Sequence, residues 1–421
     1  MKQFTRQVIL LTMAFLLLAW SVPAGAQILV QCPGDLNGDS IPDPFLLNPN
    51  GSPTGRPNPD YDPTVKCMHL AAGDGYITMA DGRPMYMFGF ADVTGIPEDM
   101  VMMEGMMAAS FPAPTITVDE GDKFYLNLTN VGMMMRPDLF DPHTVHWHGF
   151  PQASAVFDGV PDASISINMG ATLTYFYQVV EPGTYMYHCH VEATEHMQMG
   201  MLGNLYVRPA QNRLPAGTDL NGFTHQAGYK YAYNDGDGST YYDVEFPIQI
   251  GSFDSAFHDA SETVQPLPFA LMRDNYPMLN GRGYPDTIVP GPLPPPMENM
   301  GKVSQSVSSL IQATAGEKIL LRISNLNVTR FYTLASLGIP MKVVGYNARL
   351  LRGPSPDGVT PGKNLSYTTN SITLGGGEAL DAILDTSGIA PGTYFLYTTN
   401  LNYLSNDSDP FGGMMTEIWI N

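Results

Sequence analysis

The sequence predicts an all-β protein built from two tandem sandwich or barrel domains. Three observations carry this. From about residue 76 the apolar runs are short and broken by turn signals every 8–12 residues. Glycine (42) and proline (36) are abundant and charged residues make up only 14%, which excludes coiled coils and helical bundles. The chain also repeats itself.

The repeat keeps its order in both halves, at offsets of about 190–210 residues. Glu120-Gly121-Asp122-Lys123, a strand and Thr129-Asn130 are echoed by Ala315-Gly316-Glu317-Lys318, a strand and Ser324-Asn325. The stretch from Thr144 to Pro151 is echoed by Thr333 to Pro340, and Pro182-Gly183-Thr184-Tyr185 by Pro391-Gly392-Thr393-Tyr394. The expected domains are therefore 76–210 and 240–421, with a polar linker over 211–239. Thr115–Val118 and Lys123–Leu128 read as strands of the first, and Asn280–Gly283 as a turn early in the second.

Residues 1–26 read as a secretory signal peptide. Lys2 and Arg6 precede the apolar run Val8–Trp20, and Ala24-Gly25-Ala26 offers small residues for cleavage. The mature protein is expected to be exported, periplasmic or extracellular, with no membrane span. The full chain's net charge of −20 repels phosphate backbones and excludes nucleic acid.

In an oxidising compartment Cys32 and Cys67 are expected to pair, stapling an irregular arm over 27–75. Within that arm Asp35, Asn37, Asp39 and Asp43 resemble the first half of a calcium loop, but the late glutamate is missing. A solvated cluster of Asx turns is the competing reading.

Cys189 is left over, and its neighbours explain it. Of nine histidines, six lie within 54 positions. His143, His146 and His148 have the spacing H-x-x-H-x-H; His188, Cys189 and His190 are consecutive; His196 and Met201 follow. Alternation along a strand puts His146 and His148 on one face, and His188 and His190 on one face opposite Cys189. Two metal sites could then share one Cys-His step, a short electron path. Two imidazoles, a thiolate and a weak thioether make a blue-copper set, which His143, Cys189, His196 and Met201 supply. Zinc competes chemically but gains nothing from methionine.

The runs His146-Trp147-His148-Gly149, Asp158-Gly159-Val160-Pro161 and Gly183–His190 resemble the multicopper oxidases, laccases and their two-domain relatives. The resemblance implies cupredoxin-like Greek-key domains. It implies type 1 copper on His143, Cys189, His196 and Met201. It also implies type 2 copper on His146, a type 3 pair on His148, His188 and His190, and proton delivery by Asp158. A plain Asp-Gly turn is the alternative for Asp158.

Two departures stand out. Five residues separate His190 from His196, where laccases usually have three. A trinuclear cluster in this family needs eight histidines, four from each of two domains, and this chain has none after His258. Tyr332 stands in place of His143, Ala335 and Leu337 in place of His146 and His148, and Thr398, Thr399 and Asn400 in place of His188, Cys189 and His190. The second domain is expected to lack copper. Two chains could pool four histidines each across a two-fold axis, so a homo-oligomer is expected. His69, His225 and His258 lack ligand spacing and read as packing residues.

Met100, Met102, Met103, Met106 and Met107, with Met133–Met135, are dense enough to suggest Cu(I) docking, against the ordinary reading of core filling. The function expected is an exported oxidase. It takes single electrons at type 1 copper from a small molecule, a metal ion or a redox protein, and passes them to O2. The alternative is a non-enzymatic blue-copper electron carrier or copper-binding protein.

Overall fold

A computed structural model describes residues 30–421, so the leader expected at 1–26 lies outside the described residues. The arm carries a short hairpin, β1 (Phe45–Leu47) with β2 (Pro53–Pro57). Cys32 and Cys67 are disulfide-bonded. Gln31 N also donates to Asn127 Oδ1 at 3.2 Å, tying the arm to the first domain.

The arm is shorter than expected. Strand β3 (Val65–Thr78) already belongs to the first domain and pairs in parallel with β6 (Lys123–Gly132). Its Leu-Ala-Ala-Gly-Asp-Gly stretch is buried on both faces, so it lacks the polar-apolar alternation that marks a half-exposed strand.

The first domain is a sandwich of two four-stranded sheets. One runs β4 (Pro84–Asp92), β3, β6, β8 (Thr172–Gln178). The other runs β5 (Ala113–Asp119), β10 (Leu202–Arg208), β9 (Gly183–His188), β7 (His146–His148). Phe88, Leu126 and Tyr177 from the first sheet meet Ile116, Trp147, Tyr187 and Leu205 from the second in one core. Trp147 touches Tyr177 and Tyr187 with ring centroids 5.4 Å apart in each pair. Such contacts add about 0.5–1.5 kcal/mol each beyond burial. They hold β7, only three residues long, by its middle residue.

The expected linker is not featureless. It holds two small ladders, β11 (Asp219–Leu220) with β12 (Phe223–Thr224), and β13 (Lys230–Tyr231) with β14 (Tyr241–Tyr242).

The second domain repeats the plan. One sheet runs β16 (Tyr276–Leu279), β15 (Val244–Phe253), β18 (Lys318–Asn325), β24 (Glu378–Asp385), β20 (Met341–Tyr346), β21 (Arg349–Leu350), with β22 (Tyr367–Thr369) on β20. The other runs β17 (Ile311–Ala313), β26 (Met415–Ile420), β25 (Gly392–Thr398), β19 (Tyr332–Leu337), β23 (Ser371–Leu374). The parallel pair β3 and β6 recurs as β15 and β18, and the antiparallel pair β9 and β10 as β25 and β26.

The seam between domains is polar and buried. Arg322, with no exposed surface, lies 2.9 Å from Glu245 Oε2 and 3.6 Å from Asp381 Oδ1, and its Nη1 donates to Thr184 Oγ1 at 3.0 Å. Thr184 Oγ1 donates in turn to Asp381 at 2.6 Å. Burial opposes the Arg322 charge, but Glu245 and Asp381 outweigh it and raise its pKa. Burial also raises the Asp381 carboxyl, with Arg322 pulling the other way.

Candidate metal centre

Cys189 follows the end of β9 and stays in register: its N donates to Met201 O at 3.1 Å. His143 is held by paired main-chain bonds with Ile167, of 3.0 and 2.9 Å. His196 sits on helix α1 (Ala193–Gln198). That single turn accommodates the lengthened spacing after His190 and swings His196 back over the thiol. Met201 N donates to His196 O at 2.8 Å, closing the loop.

These elements bring one sulfur and two imidazoles together. Cys189 Sγ lies 3.2 Å from His196 Nδ1 and 3.7 Å from His143 Nδ1. Cys189, His143, His196 and Met201 are all wholly buried. Burial by itself would raise the thiol, but the two imidazoles hold it well below its usual value. Burial likewise opposes charge on His196, yet Cys189 and Asp141 push it up to about 10. The Nε2 atoms of His143 and His196 are buried without hydrogen-bond partners.

The second cluster lies on the other side of the Cys189 backbone. The rings of His146 and His148 are 5.5 Å apart, and those of His188 and His190 stack at 5.5 Å, so both pairs share faces as strand alternation requires. Ligand atoms of His146, His148 and His188 lie within 4.8 Å of one another. His190 stands beside them, its ring 4.9 Å from that of His146.

Two of these rings turn Nδ1 to a main-chain oxygen. His146 Nδ1 donates to Asp158 O at 2.7 Å, and His188 Nδ1 to Cys189 O at 2.6 Å. His148 Nδ1 lies against Gly377 of the second domain. A neutral imidazole that donates from Nδ1, as His188 does, aims an unprotonated Nε2 inward. The Nε2 atoms of His148 and His188 face each other at 3.0 Å. Burial drops His188 to about 3, so its ring is neutral near neutral pH, and its Nε2 accepts there from His148 or ligates a metal ion.

Two glycines make this packing possible. Gly159, at φ +76°, brings its Cα so close to the main chain of Val145 that a Cβ would sit 2.0 Å from Val145 O. A Cβ on Gly377 would sit 2.9 Å from His148 Nδ1. Asp158 serves by its carbonyl, while its carboxylate lies 3.5 Å from His146 Nδ1.

A cleft of about 500 Å³ opens beside His148, His188 and His190, and its far wall is Asn327–Phe331 with Gly376 and Gly377. The second domain adds no imidazole. The register corrects one detail. Ala335 pairs with Tyr397 as His146 pairs with His188, and Thr398 N donates to Met414 O as Cys189 N does to Met201 O. The residues in place of His188, Cys189 and His190 are thus Tyr397, Thr398 and Thr399, and Met414 matches Met201. The offset is set by the Pro-Gly-Thr-Tyr strand starts.

The other residues singled out by the sequence lie outside these two clusters. His69 bonds Thr129 Oγ1 at 2.7 Å, His225 bonds Tyr231 OH at 2.9 Å, and His258 lies between Tyr86 O and Gln198 O. Asp35 accepts from the N of Asn37, Gly38 and Ser40, Asp39 from Ile41 N and Asp43 from Leu36 N, an Asx-turn arrangement. Met107 and Met133 are buried in the core, whereas Met100, Met103, Met134 and Met135 are exposed. Asp141 and Glu192 were missed by the sequence reading. Asp141 Oδ2 lies 3.9 Å from His196 Nε2, and Glu192 joins both within 4.8 Å. Their position, two residues before His143 and four before His196, was the available signal.

The donor set fits copper: thiolate with two imidazoles and a thioether nearby, and a separate cluster of imidazoles. Residues 94–212 match the family model described as multicopper oxidase. This segment is similar to multicopper oxidase domains. The chain is 35% identical over 138 residues to the multicopper oxidase MCE of Talaromyces pinophilus, covering 32% of this chain and 19% of that protein. It is 34% identical over 116 residues to laccase-1 of Emericella nidulans, covering 27% and 17%. The matched stretch thus spans less than a fifth of either relative. The fold resembles the blue copper oxidase of Nitrosomonas europaea, with a TM-score of 0.57 at 23% identity over 84% of this chain and 85% of that one. Both domains are therefore cupredoxin-like, and the matched segment contains every candidate copper ligand.

Proposed function

We propose that the protein is an exported copper oxidoreductase that takes single electrons at a type 1 site and passes them to dioxygen. His143, Cys189, His196 and Met201 would hold the type 1 copper. His146, His148, His188 and His190 would hold copper of the type 2 and type 3 kind. The convergence of His146, His148, His188 and His190 carries the reading, because an electron carrier needs only the four ligands around Cys189.

Copper supplies one-electron redox chemistry and a place for dioxygen to be reduced. The chain supplies the rest. Its core keeps water from Cys189. The Cys189 main chain joins the two sites, since Cys189 O accepts from His188 Nδ1. Asp158 stands at His146 to pass protons toward the cluster. The open cleft and four-histidine face support completion of the cluster by another copy of the chain, with O2 as acceptor. Among the described residues no helix is long and apolar enough to cross a membrane.

Oxygen uptake with a phenolic donor tests the reading. Copper-loaded protein should consume O2, and His188→Ala should abolish uptake while the blue absorption remains. The second reading, an electron-transfer or copper-binding protein, is favoured by Tyr332, Ala335, Leu337 and Tyr397–Thr399 in the second domain. It predicts blue colour without O2 uptake.

A further inference from the structure

The chain has 40 aspartates and glutamates, yet none lines the cleft beside the histidine cluster. The cation of its far wall is Arg330, followed by Phe331. Arg330 Nη1 donates to Tyr403 OH at 2.8 Å, and the guanidinium stands 5.6 Å from the centroid of that ring. Among the described residues these are its only polar partners, so Nε, Nη2 and the positive charge remain for a ligand. Asp274 acts on Arg330 from behind the wall. It is buried, and its Oδ2 is taken by Ser252 Oγ and by Thr329 Oγ1 at 2.8 Å. Burial raises that carboxyl, which weakens its hold on Arg330.

Phe331 is 73% exposed, and its ring rests on Gly375, where a Cβ would sit 2.5 Å from it. The bare backbone of Gly375 thus gives the ring a fixed seat. A guanidinium takes a carboxylate through two parallel hydrogen bonds, and an aromatic ring takes another ring offset or edge-on. The volume, about 500 Å³, is that of a small-molecule site. Salt screens the rest of the chain's −20 beyond about 8 Å, so inside the cleft Arg330 decides.

We propose that this cleft is a binding site for a small aromatic carboxylate, with its carboxylate on Arg330 and its ring against Phe331. The ligand is anionic because the cleft offers a cation and no acidic side chain. It is aromatic because the neighbour of that cation is an exposed ring. It is small because His148, His188 and His190 close the opposite side. The site goes beyond the oxidase reading, since second-domain residues build it and it does not require copper. A bound ligand would cover the approach to those three imidazoles.

Calorimetric titration with benzoate tests this, on the copper-loaded and on the metal-free chain. One benzoate per chain is expected in both. Benzamide, of the same shape without the charge, should bind about tenfold or more weakly, and so should acetate, which has the charge without the ring. Arg330→Gln should weaken benzoate about tenfold or more, and Phe331→Ala about threefold or more. Phe331→Ala removes an exposed ring and leaves the core intact, so the test stands even if Arg330→Gln unfolds through the loss of Tyr403. No stoichiometric binding to the metal-free chain, equal affinity for benzamide or acetate, or unchanged affinity in either folded variant would overturn the proposal. Absent blue absorption and O2 uptake in the copper-loaded protein would instead overturn the oxidase reading, and the metal-free titration would still decide this one.

Discussion

The Nε2 atoms of His148 and His188 face each other at 3.0 Å, one from β7 and the other from β9. His188 spends Nδ1 on Cys189 O, so its Nε2 is an acceptor facing His148. The contact is a place where a cation would take both nitrogens as ligands. The Cys189 thiol, close to His143 and His196, is a second such place on the opposite side of the same backbone.

The two places should separate by mutation. Cys189→Ser removes the soft ligand and should abolish the blue absorption, with loss of about one copper per chain. Copper on the histidine cluster should remain. Metal analysis and EPR of the variant check this.

Gly377→Ala should disturb the histidine cluster from the second domain. The backbone there is left-handed, at φ +88°, and a Cβ would press on His148 Nδ1. A stability loss of about 1 kcal/mol is expected from the backbone alone. The decisive readout is copper: occupancy of the cluster should fall while the blue absorption persists.

The interdomain seam predicts a large effect from one carboxylate. Asp381→Ala takes one of two carboxylates from buried Arg322, leaving Glu245, and the acceptor from Thr184 and Tyr233. Breaking such a pair should cost about 3 kcal/mol. Denaturant unfolding should show it as a lower midpoint, whereas Lys123→Ala, at an exposed ion pair, should change stability by about 0–1 kcal/mol.

His69 should make stability fall in acid. Burial lowers its pKa from 6.5 to about 4, with Thr129 and Ser40 hydroxyls as its polar neighbours. The unfolded chain takes the proton first as pH falls from 6.5 toward 4. Stability is therefore full above about 6.5 and declines through that window, by up to about 3 kcal/mol for this group. Unfolding curves of wild type and His69→Gln across that range should differ in slope, the variant being flatter.

Much of the site was legible in the sequence because strand alternation is a local rule. H-x-H and H-C-H fix faces without knowledge of the fold, and His146 with His148, and His188 with His190, lie as that rule demands. The repeat likewise survives in matching sheet orders. Three things were not legible. Strand β3 is buried on both faces from His69 to Ile77, so most of its length carries no alternation. Gly377 touches His148 only because two distant domains pack together. Asp141 and Glu192 meet at His196 because a helical turn folds back, and their nearness in sequence to His143 and His196 was the one local hint of it.

Copper counted per chain on the loaded protein, with EPR, visible absorption and solution mass on the same sample, tests the central claim most directly. The account predicts a blue type 1 copper in every chain, together with further copper on the histidine cluster seen as a separate type 2 signal, in an oligomer. One blue copper per monomer with no type 2 signal would contradict it and leave an electron carrier.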